Sequence, residues 1–186
     1  MTLTETPTTT GQAAWQRTDT VGTELVFLDH DAGTAEGTAV ITGRSAYTCH
    51  WLARLDEDLA VTALTVTCCG SGWERTLTLQ RDATGWSGAD DAAQIPHDAL
   101  LRLPDSPVFA TWAVRRLALT SHGGPVDAPT ARVLLPSLTL ATGTSTYQLI
   151  GPHRLRITGE GPAALYDLDD AGTVIFQPGR ARLVRR

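Results

Sequence analysis

The chain has 186 residues and a mass of 19.9 kDa, with 42% hydrophobic residues, 19% charged residues and a formal net charge of −5. That balance excludes a disordered or collagen-like chain, and the length suits one domain with one sizeable core. A pI near 5.4 with dispersed arginines argues against a general nucleic-acid role, because phosphate neutralisation needs a concentrated basic face.

The finer composition points to a sheet. There is no Lys and no Asn, against 15 Arg and 28 Thr. Lys and Asn are both written in AT-rich codons, so their joint absence marks a GC-rich genome and leaves arginine as the available cation. Threonine is more informative: its branched β-carbon loses rotamer freedom in a helix and fits a pleated, half-wet strand. The expected class is all-β.

Residues 1–13 read as a flexible tail, since a Thr-rich segment with little apolar content cannot offset its ordering entropy. The segment has neither the basic nor the apolar stretch of a secretory signal, and no apolar run of ~20 residues follows that would cross a membrane as a helix. Three cysteines, an odd number, suit a reducing compartment, so the expected location is cytoplasmic.

Residues 14–186 read as a single β domain, in which short strand-like runs alternate with turn signals at roughly 8–12-residue spacing. The turns are marked by Asp29-His30-Asp31-Ala32-Gly33, Leu55-Asp56-Glu57-Asp58, Gly70-Ser71-Gly72, Asp82-Ala83-Thr84-Gly85, His122-Gly123-Gly124-Pro125 and Asp169-Asp170-Ala171-Gly172. Between them the period is two. Leu64, Val66 and Cys68 oppose Ala63, Thr65 and Thr67; Arg75, Leu77 and Leu79 oppose Glu74, Thr76, Thr78 and Gln80; Leu155 and Ile157 oppose Arg154 and Arg156. One dry and one wet face per strand is the signature of antiparallel sheets. Only residues 89–101 look able to hold a helical turn, and Pro96 limits its length. The expected architecture is an antiparallel meander curled into a barrel, half-barrel or roll, with few or no helices.

Chemistry-bearing motifs are sparse. Cys49 and His50 are neighbours on a strand-like run, so they face opposite sides and cannot form a dyad. Cys68-Cys69 lacks the partners of a metal site, the five histidines show no ligand spacing, and no GxSxG elbow occurs. No metal and no cofactor is expected. The carboxylate pairs at Asp56 and Asp58, at Asp90 and Asp91, and across Asp167, Asp169 and Asp170 all fall in turns, where they stay solvated and ionised. The C-terminal cluster of Arg180, Arg182, Arg185 and Arg186 reads as a solvated final strand or as a contact for an anionic partner.

Aromatic and cationic residues inside strand-like runs stand out: Tyr47, Trp51, Trp73, Trp112 and Tyr147, with Arg115 and Arg116 following Trp112. On a strand, one of the two arginines shares a face with apolar residues and needs a carboxylate, a backbone acceptor or an anionic ligand.

Several of these segments carry a family resemblance. The run Arg102-Leu103-Pro104-Asp105-Ser106-Pro107-Val108-Phe109-Ala110-Thr111-Trp112-Ala113-Val114-Arg115-Arg116-Leu117 resembles the central stretch of the putative glycolipid-binding family, small bacterial proteins, with matches at Pro107, Thr111 and Arg115-Arg116-Leu117. Leu135-Pro136-Ser137-Leu138 is similar to the family's Val-Pro-Ser-Leu strand, and Thr146-Tyr147-Gln148-Leu149 to its Gln-x-Tyr-x-x-Leu element. The ending Leu168-Asp169-Asp170-Ala171-Gly172-Thr173-Val174 with Pro178-Gly179 follows in the family's order. Departures are Ala110 and Arg102, where the family carries Asn and Asp, and Phe176-Gln177 before Pro-Gly, where it carries Asp-Tyr.

The resemblance implies a spiral β-roll, akin to lipoprotein carriers that hold acyl chains in a hydrophobic cavity. The leading expectation is accordingly a non-enzymatic protein holding a lipid-like amphiphile in an apolar cavity. Tyr47, Trp51, Trp112 and Tyr147 would form wall or mouth, and Arg115 or Arg116 would meet the head group. Two alternatives stand beside it. One is a small barrel enzyme using His153 or His50 with an Asp, and Tyr47 to polarise a carbonyl; the other is a module that recruits a partner chain through an exposed sheet face or edge.

Overall fold

The computed structural model describes residues 10–43, 45–159 and 161–185. Residues 1–9, most of the expected tail, lie outside the described residues, and residues 10–13 already belong to the first strand. Seven strands follow one another as an up-and-down run: β1 (Thr10–Arg17), β2 (Gly22–Asp29), β3 (Thr34–Ile41), β4 (Tyr47–Leu55), β5 (Val61–Gly70), β6 (Trp73–Asp82) and β7 (Gly85–Ser87). A connecting segment then carries a 3-10 turn (Ala92–Gln94), strand β8 (Leu100–Arg102) and helix α1 (Val108–Arg116). The second run is β9 (Val126–Leu134), β10 (Thr139–Gly151), β11 (Arg154–Thr158), β12 (Ala164–Leu168), β13 (Val174–Gln177) and β14 (Ala181–Arg185).

The 14 strands of the described residues form one sheet, ordered β7-β6-β5-β4-β3-β2-β1-β14-β13-β12-β11-β10-β9-β8. The two meanders meet where β1 pairs with β14, and among the described residues the β8–β9 pair is the parallel exception. The sheet is curled without closing into a barrel, as an all-β roll.

The alternation read from the sequence is the alternation in the fold. Leu64, Val66 and Cys68 of β5, Leu77 and Leu79 of β6, and Leu155 and Ile157 of β11 are buried, while their neighbours face water or are half-covered. Cys49 is buried and His50 exposed, on opposite faces of β4.

Helix α1 departs from expectation. Trp112, Arg115 and Arg116 sit on a helix, not on a strand-like run, and the run from Val108 to Val114 is buried throughout. A continuous apolar stretch has no face to reveal its period, and Pro107 opens the helix where its missing N–H costs nothing. The helix divides the core in two. Val108, Phe109 and Trp112 pack with β1 to β6 and with Ala131 and Val133 of β9, whereas Ala110, Ala113 and Val114 pack with Tyr147, Leu155, Tyr166 and Val174. It therefore fills the interior in which an enclosed cavity was expected. Strand β8 is covered on both faces too, since consecutive Leu100, Leu101 and Arg102 are all buried.

Candidate functional site

Along one face of α1 the roll leaves an open cleft of about 1190 Å³. Its floor includes Trp15, Leu28, Leu55, Val108 and Trp112. Its rim is built from the β2–β3 turn, the β4–β5 turn and the β12–β13 turn, which contribute Asp29, His30, Asp31, Asp56, Glu57, Asp58, Ala171 and Thr173.

Local sequence shapes that rim. Asp29 Oδ1 accepts the Ala32 N–H at 2.9 Å, and Asp56 Oδ1 accepts those of Asp58 at 3.1 Å and Ala60 at 2.8 Å, so each aspartate caps its own turn. Arg81 Nη2 donates to Asp56 Oδ2 at 2.9 Å and anchors the second turn to β6. Gly33 sits at φ +59°, and a Cβ there would stand 2.9 Å from the Leu55 carbonyl oxygen, so the turn needs glycine for both reasons.

Four helix residues reach the cleft: Val108, Thr111, Trp112 and Arg115. Their spacing is i, i+3, i+4 and i+7, one face of a helix, which is why Arg115 borders the cleft and adjacent Arg116 does not. The helix is tied down there. Val174 N–H donates to Thr111 Oγ1 at 3.0 Å, and Trp15 Nε1–H donates to the Val174 carbonyl at 3.1 Å. Arg115 Nη2 donates to the Ala171 carbonyl at 3.3 Å and to Thr173 Oγ1 at 3.4 Å. Behind the floor, Trp51, Phe109 and Trp112 meet edge to face, with centroids 5.2, 6.1 and 4.8 Å apart. Such geometry stabilises each pair by about 1 kcal/mol beyond area burial.

Of the six predicted site residues, Trp112 and Arg115 line the cleft together. Trp51 is fully buried behind them. Tyr47 is half-buried against the core at the start of β4, and burial raises its phenol above the ordinary range. Tyr147 is buried in the second core, with its hydroxyl 3.3 Å from Thr130 Oγ1. Arg116 borders a separate small void beside Phe109.

All five histidines are exposed, and His153 meets only Asp170, at 3.7 Å on the surface. The buried histidine–carboxylate contact on which the enzyme alternative depends is present at neither His50 nor His153. Among the described residues no three of His, Cys, Asp or Glu cluster as metal ligands, and no helix is long and apolar enough to cross a membrane. Arg180 of the C-terminal cluster donates to Asp105 at 2.9 Å, and Arg182 lies 5.2 Å over the Phe176 ring. Arg186 and the Arg185 side chain lie outside the described residues.

Sequence reasoning missed a set of buried polar side chains: Glu24, Arg102, Ser106 and Gln177. Glu24 on β2 is 5% exposed and receives Trp51 Nε1–H at 2.9 Å on Oε1, while Oε2 and Ser106 Oγ have no hydrogen-bond partner. Burial pushes the Glu24 pKa up from 4.5 to about 7, an effect that the Trp51 Nε1–H donated to Oε1 partly offsets.

The architecture defines a class: a mainly antiparallel sheet rolled onto an internal helix, with a mixed polar and apolar cleft along one face of that helix. Within that class the chain belongs to the family described as "Putative glycolipid-binding", whose model matches residues 12–183. The fold is similar to the crystal structure of a DUF1089 family protein from Pseudomonas aeruginosa, with a TM-score of 0.69 and 21% identity over 96% of this chain and 94% of that one. No curated protein matches the sequence.

Proposed function

We propose that the protein holds a lipid-like amphiphile, of the glycolipid kind its family's description names, in the open cleft along α1. The observation that carries this reading is the pairing of an apolar floor with a polar rim in a hollow of about 1190 Å³. An apolar tail lies along Trp15, Leu28, Leu55 and Trp112, where each methylene removed from water contributes about 0.8 kcal/mol. A 16-carbon chain then offers roughly 12 kcal/mol before association costs, enough for micromolar binding without a chemical step. Five rim carboxylates offer acceptors to sugar hydroxyls, and they disfavour an anionic head group everywhere except beside Arg115. The three free thiols support a cytoplasmic setting.

The test is titration of delipidated protein with a fluorescent fatty acid and a fluorescent glycolipid. Saturable binding that weakens at least tenfold in Trp112→Ala and in Leu28→Glu is the expected result. No saturable binding, or binding that both variants leave intact, overturns the reading.

A further inference from the structure

A second hollow, of about 480 Å³, shares no lining residue with the cleft and has a different chemistry. Arg102, Tyr166 and Gln177 line it beside Ile157 and Leu165. Arg102 is the unusual member. At the end of β8 it stands between Leu101 and Leu103, which belong to the first core, and so its side chain is directed with that of Leu100 to the other face, where the Tyr147 ring lies 6.0 Å from the guanidinium. It is 6% exposed, Nη2 donates to Tyr166 Oη at 2.9 Å, and buried Nε has no partner. Among the described residues no carboxylate pairs with it. Arg17, Arg81, Arg154 and Arg180 each have one.

The surrounding groups are short of an acceptor. Tyr166 Oη receives both Arg102 Nη2 and Gln177 Nε2, the latter at 3.4 Å, so its own proton needs another acceptor, while Gln177 Oε1 is buried and unpartnered. Turning the Gln177 amide by half a revolution satisfies Tyr166 and Oε1 together and frees Nε2 as a donor. Arg102 Nε–H and Gln177 Nε2–H are then donors held within the wall of the hollow, covered from water and with nothing to receive them. A charge nine-tenths buried without a counter-ion is costly to the fold, and the missing complement is an oxyanion.

We propose that this hollow binds the carboxylate or phosphate group of a small organic acid on Arg102 and Gln177, with the acid's apolar part against Ile157 and Leu165. Calorimetric titration of the full chain with octanoate, octyl phosphate and neutral octanol tests this, with acetate and inorganic phosphate as tail-free probes. The expected result is saturable binding of at least one octyl anion, octanol at least tenfold weaker, and a loss of at least thirtyfold in Arg102→Met. Preference between octanoate and octyl phosphate identifies the oxyanion, and tail-free probes binding as tightly as their octyl counterparts would remove the apolar part of the proposal. Gln177→Glu guards against a folding defect in the first variant. It places an internal carboxylate across the same hydroxyl from Arg102, and should raise Tm while weakening the anion at least tenfold. Octanol binding as tightly as the anions, both variants binding like the parent, or the loss falling on Arg115→Met instead of Arg102→Met would overturn the proposal.

Discussion

Glu24 should make the protein less stable as pH rises through neutrality. Its carboxyl titrates near 4.5 when the chain is unfolded and at about 7 in the fold, so between those values the native state holds the proton more tightly. Stability therefore falls as pH increases across that window, in proportion to the difference in bound protons, and is level above it. A shift of that size corresponds to about 3 kcal/mol, a large share of the 5–15 kcal/mol that holds a typical domain. Glu24→Gln keeps the acceptor for Trp51 Nε1 and removes the titration. Urea unfolding at pH 5, 6, 7 and 8 should show the parent losing about 3 kcal/mol across the series and the variant staying level. The two should be near parity at pH 5 and about 3 kcal/mol apart at pH 8, with the variant the more stable. Asp19 and Asp82 have carboxyls held below the ordinary range, so their contributions are lost at lower pH and leave this window to Glu24. Parallel pH profiles for parent and variant, or a parent that gains stability between pH 5 and 7, would refute the reasoning.

Three further outcomes follow from contacts in the core and at the surface. Gly37→Ala should destabilise by about 1–3 kcal/mol in urea melts, because a Cβ at Gly37 would stand 2.2 Å from the rigid Trp51 indole packed on it. Thr111→Val should cost about 1–3 kcal/mol by orphaning the buried Val174 N–H while keeping the side chain's shape; an unchanged Tm would mean that the contact contributes nothing. In native protein one thiol of three should react with a disulfide reagent. Cys49 and Cys68 are buried, whereas Cys69 is half-exposed and held protonated by Glu74, so Glu74→Gln should speed its labelling.

Strand faces were legible wherever one side of the sheet stays wet. Leu155 and Ile157 against Arg154 and Arg156 needed no more than alternation, and the Asp-rich turns that now frame the cleft were marked by their capping residues. Strand β2 carries apolar residues on both faces, so alternation alone does not choose between them. The fold exposes Leu25 at 39% and Phe27 at 43% and buries Glu24 with Val26, since the Trp51 indole on the inner face needs an acceptor. Strand β8 and the Val108–Val114 stretch of α1 are buried residue after residue, which erases the contrast that periodicity depends on. Trp112 and Arg115 were singled out for their chemistry while their placement rested on a strand; helical spacing is what brings them to one cleft.

The same helix decides where a ligand can lie. An enclosed carrier would have to expel α1 to admit an acyl chain, exposing Val108, Phe109, Trp112 and Val114, all of them buried. At about 1.5–3 kcal/mol for each large apolar side chain, expulsion forfeits roughly 6–12 kcal/mol. That matches the roughly 12 kcal/mol a 16-carbon tail could gain, before association costs of several kcal/mol more are subtracted. Displacing the helix therefore gives no net affinity, whereas lying against α1 from outside keeps the helix's burial and adds that of the methylenes the cleft covers. Hydrogen exchange reads the difference. Amides of Trp112 to Arg116 should stay as protected, or become more so, when the cleft is saturated with amphiphile. Faster exchange across α1 on binding would show that the helix yields its place, and that the interior of the roll receives the ligand.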